Sequence, residues 1–409
     1  MKLTYLPQKI SNEIKIFNGL GKNAIYVLIS NILFEIAAPM IYVFSNSYFW
    51  YKTNDIKLII FFNIFFYLFL PISFYLNGFF VKKIRIKYLL FFGLISQGVS
   101  LFLYIFSAQP NYLNTLIFGS ILGFFNGFYW SNRNFIVLET TTDKNRDYYN
   151  GLFLAAATII GIIFNSLYGN FSGHNEISET AKQTNYLLAS FFTIGILVFS
   201  GLFVLKGRYK NPVVKEIYLK NPNKSWQNFR KIYFYTGVRE SVSFMIPMTI
   251  ILYVLNGEDL LGEANSLALI ATAFIVYVLG RFISRKDRKY VILLGVLILI
   301  INSLLLILFY SEFYSFVFNT FDAIGNTLLY LSLVPLLQKE LDKQIQNDTS
   351  EYKYIFDSDL FINFGRILGT VSIFLIILAF GDETGLKFAP LFLTLANLLF
   401  LQKVFEVKD

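Results

Sequence analysis

Residues 24–49 read AIYVLISNILFEIAAPMIYVFSNSYF, an apolar run with one charged side chain, Glu35, near its middle. As a helix the run is long enough to cross the roughly 30 Å hydrocarbon layer of a bilayer. A charge at the centre of such a helix costs roughly 2.5–3.5 kcal/mol on insertion scales. Glu35 therefore belongs against a protein interior or a wet cavity, and the run predicts a spanning helix that serves a polar solute.

The pattern repeats along the 409 residues. Apolar stretches occupy about 24–49, 57–81, 88–108, 112–138, 148–170, 186–205, 230–256, 261–283, 290–310, 313–338, 357–380 and 386–402. A chain that is 56% hydrophobic and only 15% charged has the mix of an integral membrane protein. Lipid leaves open strands unpaired, so the expected fold is all-α: twelve transmembrane helices in two pseudo-symmetric six-helix bundles.

Basic residues set the orientation. Of 35 lysines and arginines, the loops expected outside take only Lys52, Lys57, Lys182 and Lys387. Arg133, Arg239 and Arg366 lie within spans, and all the others fall on the side of the N-terminus. The outer loops are acidic instead, with Glu176, Glu179, Glu258, Asp259, Glu263, Glu312, Asp382 and Glu383. This asymmetry predicts a multi-pass protein of the cell membrane with both termini in the cytoplasm. The net charge of +9 is then a property of inner loops facing anionic lipid, with no nucleic-acid partner implied. The basic stretch 206–229 reads as a linker between an N-terminal bundle, 1–205, and a C-terminal bundle, 230–409.

The halves echo each other. Gly78-Phe-Phe-Val-Lys-Lys-Ile-Arg-Ile-Lys87 follows the second span, and Gly280-Arg-Phe-Ile-Ser-Arg-Lys-Asp-Arg-Lys289 follows the eighth. Glu139 and Glu340 close the fourth and tenth spans, and Glu35 has a near counterpart in Glu240. A duplicated bundle of this kind places its binding site where the halves meet.

These features resemble the major facilitator superfamily, whose loops after spans 2 and 8 carry a Gly-x-x-x-Asp-Arg-x-Gly-Arg-Arg-like motif. The segments 127–151 and Asn363-Phe-Gly-Arg366 resemble a bacterial efflux or multidrug branch of it. The resemblance implies alternating access, a small-molecule substrate, coupling to protons, export, and a monomer with no cofactor. It also implies a cytoplasmic gate built from the motif loops. The acidic motif position is Lys82 in the first copy and Ser284 in the second, with Asp287 three residues later. A charge-swapped latch is therefore expected, Lys82 with Glu139 and Arg285 with Glu340. Gly78, Arg85, Arg146 and Gly280 complete the gate candidates. The competing reading makes these charges loop anchors that fix topology.

The residues themselves point to spans 1, 4, 7, 10 and 11, which hold Glu35, Arg133, Arg239, Glu240, Asp322 and Arg366. Three acids against three bases suggest pairing across the bundles. A carboxyl kept from water can exchange a proton near neutral pH, so Glu35, Glu240 and Asp322 are the proton-coupling candidates. Adjacent on one helix, Arg239 and Glu240 point about 100° apart, which directs Arg239 towards Asp322 or Glu35. Arg366 suits an anionic group or a gate pair with Glu139; Asp359 lies two turns before it, too far for direct contact. Asn126, Tyr129, Trp130, Asn319, Asn326 and Tyr330 are the remaining cavity candidates, able to orient an amphiphilic solute through amides, phenols and aromatic faces. A permanent salt-bridge network holding the bundles in register is the alternative. Nutrient uptake and lipid flipping compete with efflux on the same fold. An enzyme fits poorly: the chain has no cysteine, one histidine, His174, in an outer loop, and no phosphate-cradling glycine loop.

Overall fold

The computed structural model describes residues 15–107, 110–142, 145–173, 178–282, 287–346 and 351–407, with no strand among them. Arg285, Ser284 and His174 lie outside the described residues. Twelve long helices run in sequence: α1 (Lys22–Thr53), α2 (Ile56–Phe80), α3 (Ile86–Ser107), α4 (Tyr112–Thr140), α5 (Arg146–Gly173), α6 (Glu179–Lys206), α7 (Lys224–Leu255), α8 (Glu258–Phe282), α9 (Arg288–Leu308), α10 (Glu312–Gln346), α11 (Glu351–Phe380) and α12 (Asp382–Phe405). Eleven of these are long and apolar enough to cross a membrane, and the twelfth, α4, carries the amide-rich segment around Arg133. Several helices overrun their apolar stretches: α10 continues from 338 to Gln346 and α7 begins at Lys224. Polar turns outside the bilayer extend them.

Side-chain caps explain the starts. Asp55 accepts from the Lys57 amide at 2.8 Å, Asn111 from Asn114 at 2.9 Å and Asn223 from Trp226 at 2.8 Å, each satisfying a donor that the first turn leaves unpaired. Asn54 ends α1 and Asn256 ends α7, both left-handed, at φ 50° and 49°. Asparagine tolerates that conformation better than other side chains, and the shared cap shows the repeat in the backbone. Two helices are irregular. A π turn, Met40–Phe44, follows Pro39 in α1, and α12 is broken at Leu395 between Asp382–Thr394 and Ala396–Phe405.

Helices α1–α6 pack as one bundle and α7–α12 as the other, and the bundles meet along α5–α8 and α2–α11. Within the first bundle, Gly119, Gly123 and Gly127 let α4 approach α2, where added methyls would meet the Phe62, Phe66 and Leu70 carbonyls. Outer faces are apolar. On α9 the exposed residues are Leu294, Leu297, Ile301, Leu304 and Leu308, a stripe with helical spacing suited to hydrocarbon.

Contacts join the bundles at both ends. At the end bearing the termini, Arg146 of α5 pairs with Asp342 of α10 at 2.9 Å. There Tyr352 of α11 donates to the Phe74 carbonyl of α2 at 2.7 Å. At the far end Trp50 donates to Asn256 at 2.8 Å, Lys182 pairs with Glu258 at 3.1 Å, and Lys57 pairs with Asp382 at 2.8 Å. The last two pairs differ in burial. Glu258 is only 3% exposed, so Lys182→Met is expected to cost about 1.5–3 kcal/mol through a stranded carboxylate. Lys57→Met, acting on a pair about 30% exposed, should cost less than about 1 kcal/mol. Melting of the two purified variants in detergent tests the order, and equal losses would contradict it.

Candidate functional site

Side chains from α1, α2, α4, α7, α10 and α11 converge midway along the bundles. In the first bundle the wall is aromatic. Phe34 stacks on Tyr129 with ring centroids 4.1 Å apart, and Trp130 meets the pair edge-on at 6.4 and 5.2 Å. The π turn of α1 holds Tyr42, whose oxygen accepts from Asn126 at 2.7 Å and from Trp130 Nε1 at 3.2 Å. Asn126 also donates to Gln97 at 2.8 Å, so both its amide hydrogens are used. Glu35 is half-buried one helical face away, and Arg133 is the cation near it. The Arg133 guanidinium lies 5.1 Å from the Trp130 ring and 5.1 Å from the Phe153 ring.

The second bundle supplies a charge network. Arg366 donates to Glu240 Oε2 from Nε at 2.7 Å and lies 2.6 Å from the same oxygen through Nη2, so one edge of the guanidinium converges on one carboxylate oxygen. Tyr330 donates to the other Glu240 oxygen. This meeting depends on glycine. A methyl on Gly237 of α7 would strike the Ile362 carbonyl, and one on Gly365 of α11 would strike that of Phe234. Without side chains there, the backbones touch and Glu240 meets Arg366 directly. Beyond them Arg239 donates to Asn326, which donates in turn to Asp322 Oδ2 at 2.9 Å and to Ser243 at 2.7 Å. Arg239 thus reaches Asp322 through an amide; its Nη2 is 4.0 Å from Glu240, beyond hydrogen-bond distance. Arg239 is 3% exposed, and its Nε and Nη2 have no hydrogen-bond partner among the described residues.

The expectation of ion pairs spanning the bundles is corrected here. Arg366 pairs with Glu240 and Arg239 connects with Asp322, all within the second bundle, because α7, α10 and α11 approach closely at this depth. What crosses between bundles is aromatic: Arg366 sits 5.7 Å from the ring of Tyr67 on α2. Arg366 is also placed with Glu240, not with Glu139. Asn319 points to α8, donating to Asn265 at 3.3 Å. Tyr42, Tyr67, Phe34, Gln97 and Ser243 were not singled out by the sequence. A proline before the π turn was the one local sign of Tyr42. Asn363 entered only as part of the Asn363-Phe-Gly-Arg366 string, with no role of its own.

The gate candidates scatter. Gly78 faces the Tyr352 ring and Ile217, whereas Lys82 and Arg85 are exposed, Lys82 lying 5.8 Å from the Phe79 ring. Glu139 lines a cleft of about 340 Å³ with Lys22, Asn23 and Thr140. Glu340 accepts from Ser225 and Gln344, each at 2.7 Å; its expected partner Arg285 is not described. Gly280 lies within α8, and Asp287 immediately precedes α9. Of the candidates, Arg146 does link the bundles at this end, through a partner the sequence did not name, Asp342; beside Tyr352, Asn77 exchanges hydrogen bonds with Asn132 at 3.1 and 3.0 Å.

A profile described as Major Facilitator Superfamily matches residues 16–346. The chain belongs to the Major Facilitator Superfamily. It is a multi-pass membrane transporter of that fold. Over 98% of its length it is 25% identical to the Bacillus subtilis (strain 168) protein described as "Uncharacterized protein YqgE", covering 92% of that chain. Solved superfamily structures share the fold at low identity. The nucleoside transporter NupG superposes with a TM-score of 0.65 at 13% identity, over 94% of this chain and 100% of that one. A bacterial homologue of the human lysosomal transporter Spinster gives 0.62 at 10% identity, over 94% and 95%. The E. coli fucose:proton symporter FucP gives 0.58 at 14% identity, over 95% and 98%.

Proposed function

We propose that this superfamily member carries a small amphiphilic solute across the cell membrane by alternating access, coupled to protons. The single observation behind this reading is the unlike character of the two walls. One bundle offers stacked aromatic rings, Phe34, Tyr129 and Trp130, with the Tyr42 phenol among them. The other offers Arg239, a buried guanidinium with two donors unspent. A buried donor without an acceptor is costly, so a solute acceptor group landing on Arg239 recovers that cost, while an apolar body lies on the rings. Coupling is supported by Glu35, a half-buried carboxyl beside Arg133 on the aromatic side. A solved fucose:proton symporter of similar fold lends support to the coupled reading. The asymmetry of basic residues supports cytoplasmic termini.

Thermal-shift measurements on purified protein, with aromatic carboxylates, aromatic amines and sugars at two pH values, test the reading. Aromatic compounds bearing an acceptor group should raise the melting temperature of the wild type and fail to do so in Arg239→Ala. Stabilisation by sugars alone, or equal shifts in Arg239→Ala, would overturn the substrate assignment. For coupling, proteoliposomes holding a pH-sensitive dye should acidify or alkalinise when a stabilising compound is added. Glu35→Gln should bind that compound yet move no protons; unchanged proton movement removes Glu35 from the coupling step.

A further inference from the structure

We infer that Asp359 is a second proton site, working opposite Glu35, and that Asn363 passes Arg366 between Asp359 and Glu240. The inference rests on the proton-coupled reading above and begins from the inventory of the centre. The guanidiniums are Arg133, Arg239 and Arg366; the carboxyls are Glu35, Glu240, Asp322 and Asp359. Three of the acids are provided for. Arg133 is the cation near Glu35, Arg239 reaches Asp322 through Asn326, and Arg366 holds Glu240. Asp359 is the acid left over.

Its surroundings show how it can be served. Asp359 accepts from the Asn363 amide at 3.0 Å, and the oxygen of the same amide accepts from Arg366 Nη1 at 3.1 Å. Asn363 is fully buried, so this link is fixed in place between carboxyl and guanidinium. Arg366 and Asp359 are seven residues apart on α11, two turns along nearly one face. Asn363 fills the turn between them. Arg366 is therefore tethered to both acids while its Nε and Nη2 are committed to Glu240.

Asp359 is half-buried, whereas Glu240 is 1% exposed, so water reaches Asp359 more easily. The other groups around it are few. Its own helix carries Arg366 and Tyr352; α7 brings Glu240 and, beyond it, Arg239. Facing these, α2 brings Tyr67 and α10 brings Tyr330. Arg133 of α4 lies against the Trp130 and Phe153 rings. The α12 carboxylates Asp382 and Glu383 stand at the far end of the molecule.

The step is simple in its balance. A proton from water binds one Asp359 oxygen, and the neutral acid leaves the Nε and Nη2 contacts of Arg366 on Glu240. When the proton leaves to water, the carboxylate draws Arg366 along the Asn363 bridge and loosens its grip on Glu240. Because Arg366 also faces Tyr67 of α2, that movement changes the α2–α11 contact between bundles. Protonation at Asp359 is thereby tied to the surface on which the bundles rock.

The test needs no substrate. Infrared difference spectra of the reconstituted protein, titrated over a wide pH range, report protonated carboxyls by their C=O stretching bands. Asp359→Asn should lose one of the titrating bands of the wild type, and Glu35→Gln a different one. Asp359→Glu, which keeps the acid, should retain every band with one displaced, and this protects the result if the asparagine variant folds poorly. If Asp359→Asn keeps every band and Asp359→Glu displaces none, the inference fails while coupling through Glu35 stands. If no carboxyl band titrates in the wild type, the proton-coupled reading fails with it.

Discussion

Replacing Glu240 by alanine is expected to destabilise the protein by about 3–5 kcal/mol, the largest effect of any single side chain in the central network. Glu240 is 1% exposed, and three groups converge on it: the Arg366 guanidinium, the Tyr330 hydroxyl and, at 4.0 Å, Arg239. Removing it strands the half-buried Arg366 guanidinium and weakens the setting of the buried Arg239. The cost measures the orphaned charges, not the worth of the pair. Glu240→Leu combined with Arg366→Met should therefore recover most of the stability, since a well-packed apolar pair often matches a buried ion pair. Reversible unfolding in mixed micelles would check both values. A loss below about 1 kcal/mol for Glu240→Ala, or no recovery in the double variant, would show that water or another acid neutralises Arg366. The double variant should nevertheless be inert in transport, which separates the stability of the network from its use.

The parts of the molecule that could be read from sequence are those governed by one helix at a time. Span number follows from apolar run length, and the conspicuous charges in spans 1, 4, 7, 10 and 11 follow from the cost of placing them in hydrocarbon. Partner choice depends on two helices at once, and there the sequence falls short. Arg239 and Glu240 are adjacent, yet one connects to Asp322 and the other to Arg366, because Gly237 and Gly365 bring α7 and α11 into backbone contact. The latch expected between Lys82 and Glu139 fits the motif pattern, whereas the gate candidate Arg146 links the bundles at that end through Asp342, a residue no motif marks. Tyr42 was hidden for another reason. The π turn inserts a residue into α1 and rotates the remainder of the helix by about 100°, so a regular helical wheel misplaces it. In a chain with 47 phenylalanines and 27 tyrosines, one aromatic hub also carries no compositional contrast.

The second large effect is expected from glycine. Gly365→Ala should lower the melting temperature sharply, and Gly365→Leu should abolish the folded state. A methyl at Gly365 lies against the Phe234 carbonyl, 2.8 Å from the Val238 nitrogen and 3.0 Å from the Gly237 carbonyl carbon. All three are backbone atoms of one helix and cannot turn aside as a side chain would. Relief requires α7 and α11 to separate. Overpacking of this kind costs roughly 1–3 kcal/mol by itself. Here separation also pulls Arg366 from Glu240, so the two penalties fall together. Gly195 of α6 provides the control, because an added methyl there meets nothing within 4 Å. In a helix interior alanine is favoured over glycine by about 0.5–1 kcal/mol, so Gly195→Ala should be neutral or stabilising. Melting temperature and a single size-exclusion peak in detergent decide the comparison. Should Gly365→Ala behave like Gly195→Ala, the close approach of α7 and α11 is not what brings Glu240 and Arg366 together, and the architecture argued for the second bundle would have to be redrawn.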